Sequence, residues 1–222
     1  MALILYGSNL SPFVRKVRVI LIEKNAPYTL DQINPFRQPP EFAAISPLKR
    51  IPVLRDTDLP EPNTLPDSSV IADYLENEYP QPALYPKGHF ARARALWFEE
   101  YSDGGIFPVM GPGLFFERVV KKFQRGVTDQ ELCARTVAEM LPPFFDYLES
   151  EIRGKPFLVD DCFTIADIAV ASVMANYRHS GEELDAARWP QFAAYVTKIL
   201  ARPSFQAVLM EEQKLIDIAR SR

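Results

Sequence analysis

Short apolar runs and amphipathic stretches alternate over the first third of the chain, and past residue 88 the short runs almost vanish. Leu3–Tyr6 is an unbroken apolar run that stops at Gly7, the pattern of a buried strand. Residues 12–25 put Phe13, Val17, Ile20 and Leu21 on one side of a helix, with Arg15, Lys16, Arg18 and Lys24 largely off that stripe. Tyr28–Gln32 reads as a second strand, Glu41–Ile45 as a short helix and Ile51–Arg55 as a third strand. Residues 55–66 are charged and turn-rich, which predicts a loop with at most a short edge strand. Residues 68–79 form a third helix capped by Asp67 or Ser68. The early βαβ order predicts a parallel strand pair joined by a right-handed crossover.

Pro80, Pro82 and Pro86 punctuate a linker over residues 80–88, separating a domain at 1–79 from one at 89–222. In the second part apolar residues recur at helical spacing from His89 to Tyr101. Gly104, Gly105, Pro108, Gly111, Pro112 and Gly113 are then expected to break or kink the path. Thr128–Ile152 reads as one long helix bent at Pro142-Pro143, and Thr164–Tyr177, Pro190–Leu200 and Ser204–Ala219 complete an all-helical part. Thr164-Ile165-Ala166-Asp167 is a capping-box variant ahead of an almost wholly apolar run, read as a folding element without chemistry.

Composition narrows the classes. The 222 residues are 47% apolar and 24% charged, with net charge −4, an ordinary globular balance. No long basic block points to nucleic acid, although Arg15, Lys16 and Arg18, and Lys49 with Arg50, are local basic clusters suited to a small anion. No window approaches the ~18 apolar residues of a membrane span. The five apolar residues at the start lack a basic leader, so they do not read as a signal peptide. Cys133 and Cys162 are too few for a disulfide framework. They fit a reducing compartment as buried structural thiols, and the expected location is the cytoplasm. His89 and His179 are expected on a helix or loop surface. A phosphate loop, metal-ligand spacing and a nucleophile elbow are all missing from the pattern.

What remains is a set of binding groups at suggestive spacing. Ser11-Pro12 opens the first helix as N-cap and first-turn proline. Pro52, at a strand start, cannot donate to the ladder and is a candidate for the cis form, which would turn the backbone N–H and C=O of Ile51 toward an extended peptide-like ligand. Asp67-Ser68 offers a carboxylate for an ammonium group and donors for a carboxylate. Arg37, Lys49 and Arg50 are placed to neutralise a second carboxylate. A small peptide with one ammonium and two carboxylates would be read at every end.

Four pieces in this order resemble the glutathione transferase family over nearly the whole chain. They are Ser11-Pro12-Phe13-Val14-Arg15-Lys16-Val17, Ser46 to Leu54, Asp67 to Leu75, and Thr164 to Asp167. The resemblance implies a thioredoxin-like α/β N-terminal domain followed by an all-α C-terminal domain. It implies glutathione as co-substrate, a small apolar electrophile or a peroxide as the other, a homodimer, a detoxification role and no metal. It places Ser11 at the glutathione sulfur, Ile51 and Pro52 at the cysteinyl backbone, Asp67 and Ser68 at the γ-glutamyl end, and Arg37 and Arg50 at the glycine end. Ser8, Asn9 and Tyr6 are the alternative sulfur contacts. Tyr101, Phe107 and Phe115 are candidates for an apolar second-substrate cleft. A serine rather than a cysteine at residue 11 favours thiol activation over disulfide exchange. The competing readings are a non-catalytic binding module on this fold, or a dedicated dehalogenase, lyase or isomerase.

Overall fold

A computed structural model describes residues 2–221. The chain divides into two compact units, Met1–Leu84 and Tyr85–Arg222.

The first unit runs β1 (Leu3–Gly7), α1 (Pro12–Glu23), β2 (Tyr28–Gln32), α2 (Phe42–Ile45), β3 (Val53–Asp56), β4 (Thr64–Pro66) and α3 (Ser68–Glu78). The sheet order is β2-β1-β3-β4, with β1 and β2 parallel and the other two pairs antiparallel. The central strand places Leu5 opposite both Leu30 and Leu54, and Leu5 is fully buried. β3 starts at Val53, two residues later than the apolar run suggests, because the ladder opens where Val53 meets Tyr6 on one side and Pro66 on the other.

The cations of α1 do not lie at the surface. Arg15, Lys16, Arg18 and Lys24 are 0, 1, 5 and 4% exposed. Their stems run through the packed interior, and the heads of Lys16, Arg18 and Lys24 end on fixed acceptors, the condition under which a buried cation is tolerated. Lys24 Nζ holds the carbonyls of Tyr79 (2.6 Å) and Pro82 (2.9 Å) and the carboxylate of Glu76 (2.7 Å), pinning the end of α3. Arg18 donates to Tyr28 Oη at 2.9 Å and to Asn9 Oδ1 at 3.1 Å. Lys16 donates to Ser69 Oγ at 3.2 Å. Helical periodicity places these residues off the apolar stripe, but α1 is covered on that side as well.

In the second unit, α4 (His89–Glu100), α5 (Phe107–Met110) and α6 (Lys121–Phe123) alternate with π-helical segments at Tyr101–Ile106 and Gly111–Val120. The helical path therefore survives the glycines and prolines that were expected to break it. Pro108 and Pro112 each fall within the first two positions of a segment, where a missing N–H costs least. Gly111 lets Phe107 pack close, since a Cβ there would lie 2.9 Å from Phe107 Cζ unless the ring shifted. The expected single helix over 128–152 is instead α7 (Gln130–Arg135), a π segment (Thr136–Met140) and α8 (Pro142–Ile152). The long apolar α9 (Ile165–His179) is buried along almost its whole length, and α10 (Pro190–Leu200) and α11 (Pro203–Arg220) follow.

Two further expectations are corrected. His179 is only 9% exposed because Nε2 pairs with the fully buried Glu212 at 2.7 Å. Cys162 is exposed, bridged to Val159 across a tight turn, whereas Cys133 is buried as expected.

Glu117 ties the second π segment to the loop after α6. Its Oε2 accepts from Lys121 Nζ (2.6 Å) and the Asp129 N–H (2.7 Å), and its carbonyl accepts from Thr128 Oγ1 (2.9 Å). The Lys121 hydrogen bond, then that from Asp129, holds the carboxyl below its usual range despite burial. A depressed folded-state value stabilises the protein at neutral pH, and that contribution is lost as pH falls through it. Glu117→Gln should lower the melting temperature at pH 7, and the gap from wild type should close below about pH 4. A gap that stays constant from pH 7 to 3 would remove this linkage.

Candidate functional site

The candidate residues of the first unit sit where strands hand over to helices or turns. Ser11 is the N-cap of α1, with extended backbone (φ −74°, ψ 126°), and Pro12 opens the helix. Its Oγ accepts the Val14 N–H at a long 3.4 Å. No acceptor takes the hydroxyl proton among the described residues, so a half-buried O–H is left to donate at the positive end of a 12-residue helix. Gly7 allows this corner to close, because a Cβ there would meet Val14 Cγ2 at 2.5 Å.

Among the neighbouring polar groups it is the Asn9 side chain that is committed within the chain. Asn9 Oδ1 accepts from Arg18 and from Gln32 Nε2 (3.1 Å each), and Ser8 C=O accepts the Ser11 N–H at 3.0 Å. Tyr6 packs edge-on against Phe42, ring centroids 6.5 Å apart.

The Ile51–Pro52 peptide is cis. Ile51 is half-buried, and among the described residues its backbone N–H and C=O have no partner. Such an open pair can take one more extended strand. Ser46, 1% exposed, fixes the approach to it: Oγ accepts the Arg50 N–H at 2.9 Å and donates to the Arg50 carbonyl at 2.7 Å. Sequence reasoning missed this role. The available signal is a serine placed directly before Pro47, in a turn that must bend back within five residues.

Asp67 is the N-cap of α3 and has φ +85°, a strained conformation for a residue with a side chain. Its N–H donates to the Pro52 carbonyl at 3.3 Å, so this corner and the cis proline are joined directly. Its Oδ1 accepts from the N–H groups of Ser69 (2.8 Å) and Val70 (3.4 Å). The carboxylate is exposed and caps the helix with one oxygen only. Ser68 is 4% exposed, and its hydroxyl has no partner among the described residues. Arg37 and Arg50 are exposed, Arg50 beside Ile51 and Arg37 in the loop before α2.

A helix-start hydroxyl, an open peptide edge and an acidic helix cap in one small α/β unit are groups for reading a short peptide. The profile of glutathione S-transferase N-terminal domains matches residues 5–83, and that of the C-terminal domains matches residues 117–212. Glutathione S-transferase 3 of Zea mays is 30% identical over 91% of this chain and 90% of its own. The chain belongs to the glutathione S-transferase family. FtsZ-localized protein A of Caulobacter vibrioides is 26% identical, over 91% of this chain and 88% of that one. Among solved structures, a glutathione S-transferase from Rhodospirillum rubrum superposes with TM-score 0.84 at 27% identity, covering 93% of this chain and 91% of its own. One from Methylobacterium radiotolerans, solved in complex with glutathione sulfonate, gives 0.75 at 28% identity over 94% of each. The two-domain transferase fold, a thioredoxin-like unit followed by a helical one, is therefore established for this chain.

The aromatic candidates of the second unit fare unevenly. Tyr101 is half-buried among Trp97, Phe144 and Tyr147, with ring centroids 5.7, 5.6 and 4.8 Å away, and burial pushes its hydroxyl up to about 12. Phe107 is half-buried. Phe115 is only 7% exposed, because the π segment turns it into the helical core, so it offers little surface to a substrate. Among the described residues no group of three His, Cys, Asp or Glu is placed to hold a metal, and no helix is long and apolar enough to cross a membrane.

Proposed function

We propose that this protein binds glutathione and activates its thiol for attack on an electrophile or a peroxide. The observation that carries the reading is the Ser11 hydroxyl, which accepts one weak hydrogen bond and keeps its proton for a partner beyond the chain. A free thiol titrates near ~8.5 and is mostly unreactive at neutral pH. A hydroxyl donor at a positive helix end favours the thiolate. Ile51 supplies the peptide edge for the cysteinyl residue, with Pro52 beside it. Asp67 takes the γ-glutamyl ammonium, Ser68 and the first turn of α3 take its carboxylate, and Arg37 and Arg50 serve the glycine carboxylate. Tyr101 and Phe107 remain the candidates for the second substrate.

Relatives with two kinds of name keep a binding module without turnover as the competing reading. Retention on immobilised glutathione, followed by assays with an aryl halide and a hydroperoxide, separates the two. Turnover of either substrate supports the proposal, and retention without turnover supports the module. A substrate panel then distinguishes conjugation from dehalogenation, ether cleavage or isomerisation.

Asp67→Asn should weaken glutathione binding while leaving the fold intact, because asparagine also caps helices and tolerates positive φ. Loss of a charge-assisted hydrogen bond is worth roughly 1.5–3 kcal/mol, or about tenfold or more in affinity. An unchanged dissociation constant by calorimetric titration would take Asp67 out of the site.

The protein is proposed to be a homodimer. Phe90 and Trp97 of α4, seven residues apart on one side of the helix, are 80 and 45% exposed, an apolar face of the kind that a second copy covers. Light scattering should give twice the 25.3 kDa of one chain, and the single-chain mass at low micromolar concentration would refute it.

A further inference from the structure

The buried cation of α1 changes what the acidic corner can do. Lys16 is 1% exposed and lies five residues beyond Ser11. Its ammonium donates to Ser69 Oγ at 3.2 Å. Ammonium is a donor without lone pairs, so in this contact the Ser69 oxygen must accept. The Ser69 hydroxyl proton is thereby turned away from the lysine. The same residue's N–H holds Asp67 Oδ1 at 2.8 Å, and Asp67 in turn holds the Pro52 carbonyl. Lys16, Ser69, Asp67 and Pro52 thus form one connected path from the interior of α1 to the open peptide edge. Next to Ser69, at the first position of α3, Ser68 is buried with a hydroxyl that finds no partner among the described residues. Two adjacent hydroxyls, one unpartnered and one polarised by an ammonium, stand at the N-terminus of an 11-residue helix.

We propose that Ser69 is a second hydroxyl donor to the carboxylate of the γ-glutamyl end, and that Lys16 is the positioning residue that makes it one. The inference rests on the glutathione-binding reading above and deepens it. Asp67 recognises the ammonium of that end, while Ser68 and Ser69 recognise its carboxylate. The pair of charges is therefore selected together, and a ligand carrying the amino group alone is bound less well.

The test compares two ligands on three proteins. Glutathione is titrated against 4-aminobutyryl-cysteinylglycine, which keeps the amino group and lacks the α-carboxylate. Wild type should prefer glutathione. In Ser69→Ala the glutathione affinity should fall roughly three- to tenfold, the worth of a net hydrogen bond, while affinity for the analogue stays put. Lys16→Met should show the same selective loss with Ser69 intact, and the double variant should lose little more than either alone. A merely structural role would weaken both ligands equally. Ser69 is half-buried, so Ser69→Ala, with its fold checked by a melting curve, decides the matter if Lys16→Met does not fold. Equal discrimination between the ligands by wild type and Ser69→Ala would overturn this inference alone. Failure of wild type to bind glutathione would overturn it together with the functional reading.

Discussion

Asp167→Ala should destabilise the helical unit by roughly 3–5 kcal/mol, among the largest effects of any single substitution in this chain. Asp167 is fully buried at the third position of α9. Its Oδ2 accepts from the Thr164 N–H (2.8 Å) and hydroxyl (3.3 Å), and its Oδ1 from the Leu158 N–H (3.1 Å) and Tyr195 Oη (2.7 Å). One side chain thus closes the start of α9, anchors the loop before it and ties in α10. Alanine leaves four donors without an acceptor in a site that excludes water, and each stranded buried group costs about 1–3 kcal/mol before relaxation. Thermal melts followed by circular dichroism should show a drop of roughly 10 °C or more. Tyr195→Phe removes a single donor and should cost about 1 kcal/mol. If Asp167→Ala melts no lower than Tyr195→Phe, the carboxylate does not organise the network.

Ser11→Ala should lower turnover at neutral pH about tenfold or somewhat more, with little change in glutathione affinity. The charge-assisted hydrogen bond to the thiolate is worth roughly 1.5–3 kcal/mol, or about 1–2 units in the thiol pKa. In the proposed binding mode the peptide ends are held by other groups, so the dissociation constant should hold while kcat falls. The substitution also deletes an N-cap, at about 1 kcal/mol of stability. The Val14 hydrogen bond it removes is long, 3.4 Å, which puts that cost at the lower end. Melting curves taken beside the kinetics separate the two effects. Full activity in Ser11→Ala would make Ser11 only a cap and turn attention to Ser8, Asn9 and Tyr6. The carbonyl oxygen of Asn9 is already occupied by two donors, so only its NH2 group would be available for such a role.

How far the sequence carries can be seen residue by residue. The strand and helix order of the first unit is legible because each element is short, apolar in the right period and bounded by Gly, Pro or a capping residue. Ser11, Asp67 and Thr164 are found as caps for that reason. The burial of Lys16, Arg18 and Lys24 is not legible, because periodicity reports which face is apolar and is silent on whether the opposite face is covered. The π segments are hidden for a related reason. Six glycines and prolines between 104 and 113 signal a broken helix, whereas wider turns let the path continue and rotate Phe115 inward. His179 is read as a surface residue and the hold of Ser46 on Arg50 goes unread, because their partners, Glu212 and Arg50, are set by tertiary contacts or by the return of a loop. Candidate site residues at element ends are therefore visible in the chain itself. The side chains that hold them, Ser46 and Lys16, become visible only once the elements are packed.

The most direct test of thiol activation is thiolate absorbance against pH, measured on glutathione bound to the wild-type protein. Half-titration is expected about 1–2 units below the ~8.5 of a free thiol. A bound thiol that titrates with free glutathione would contradict it.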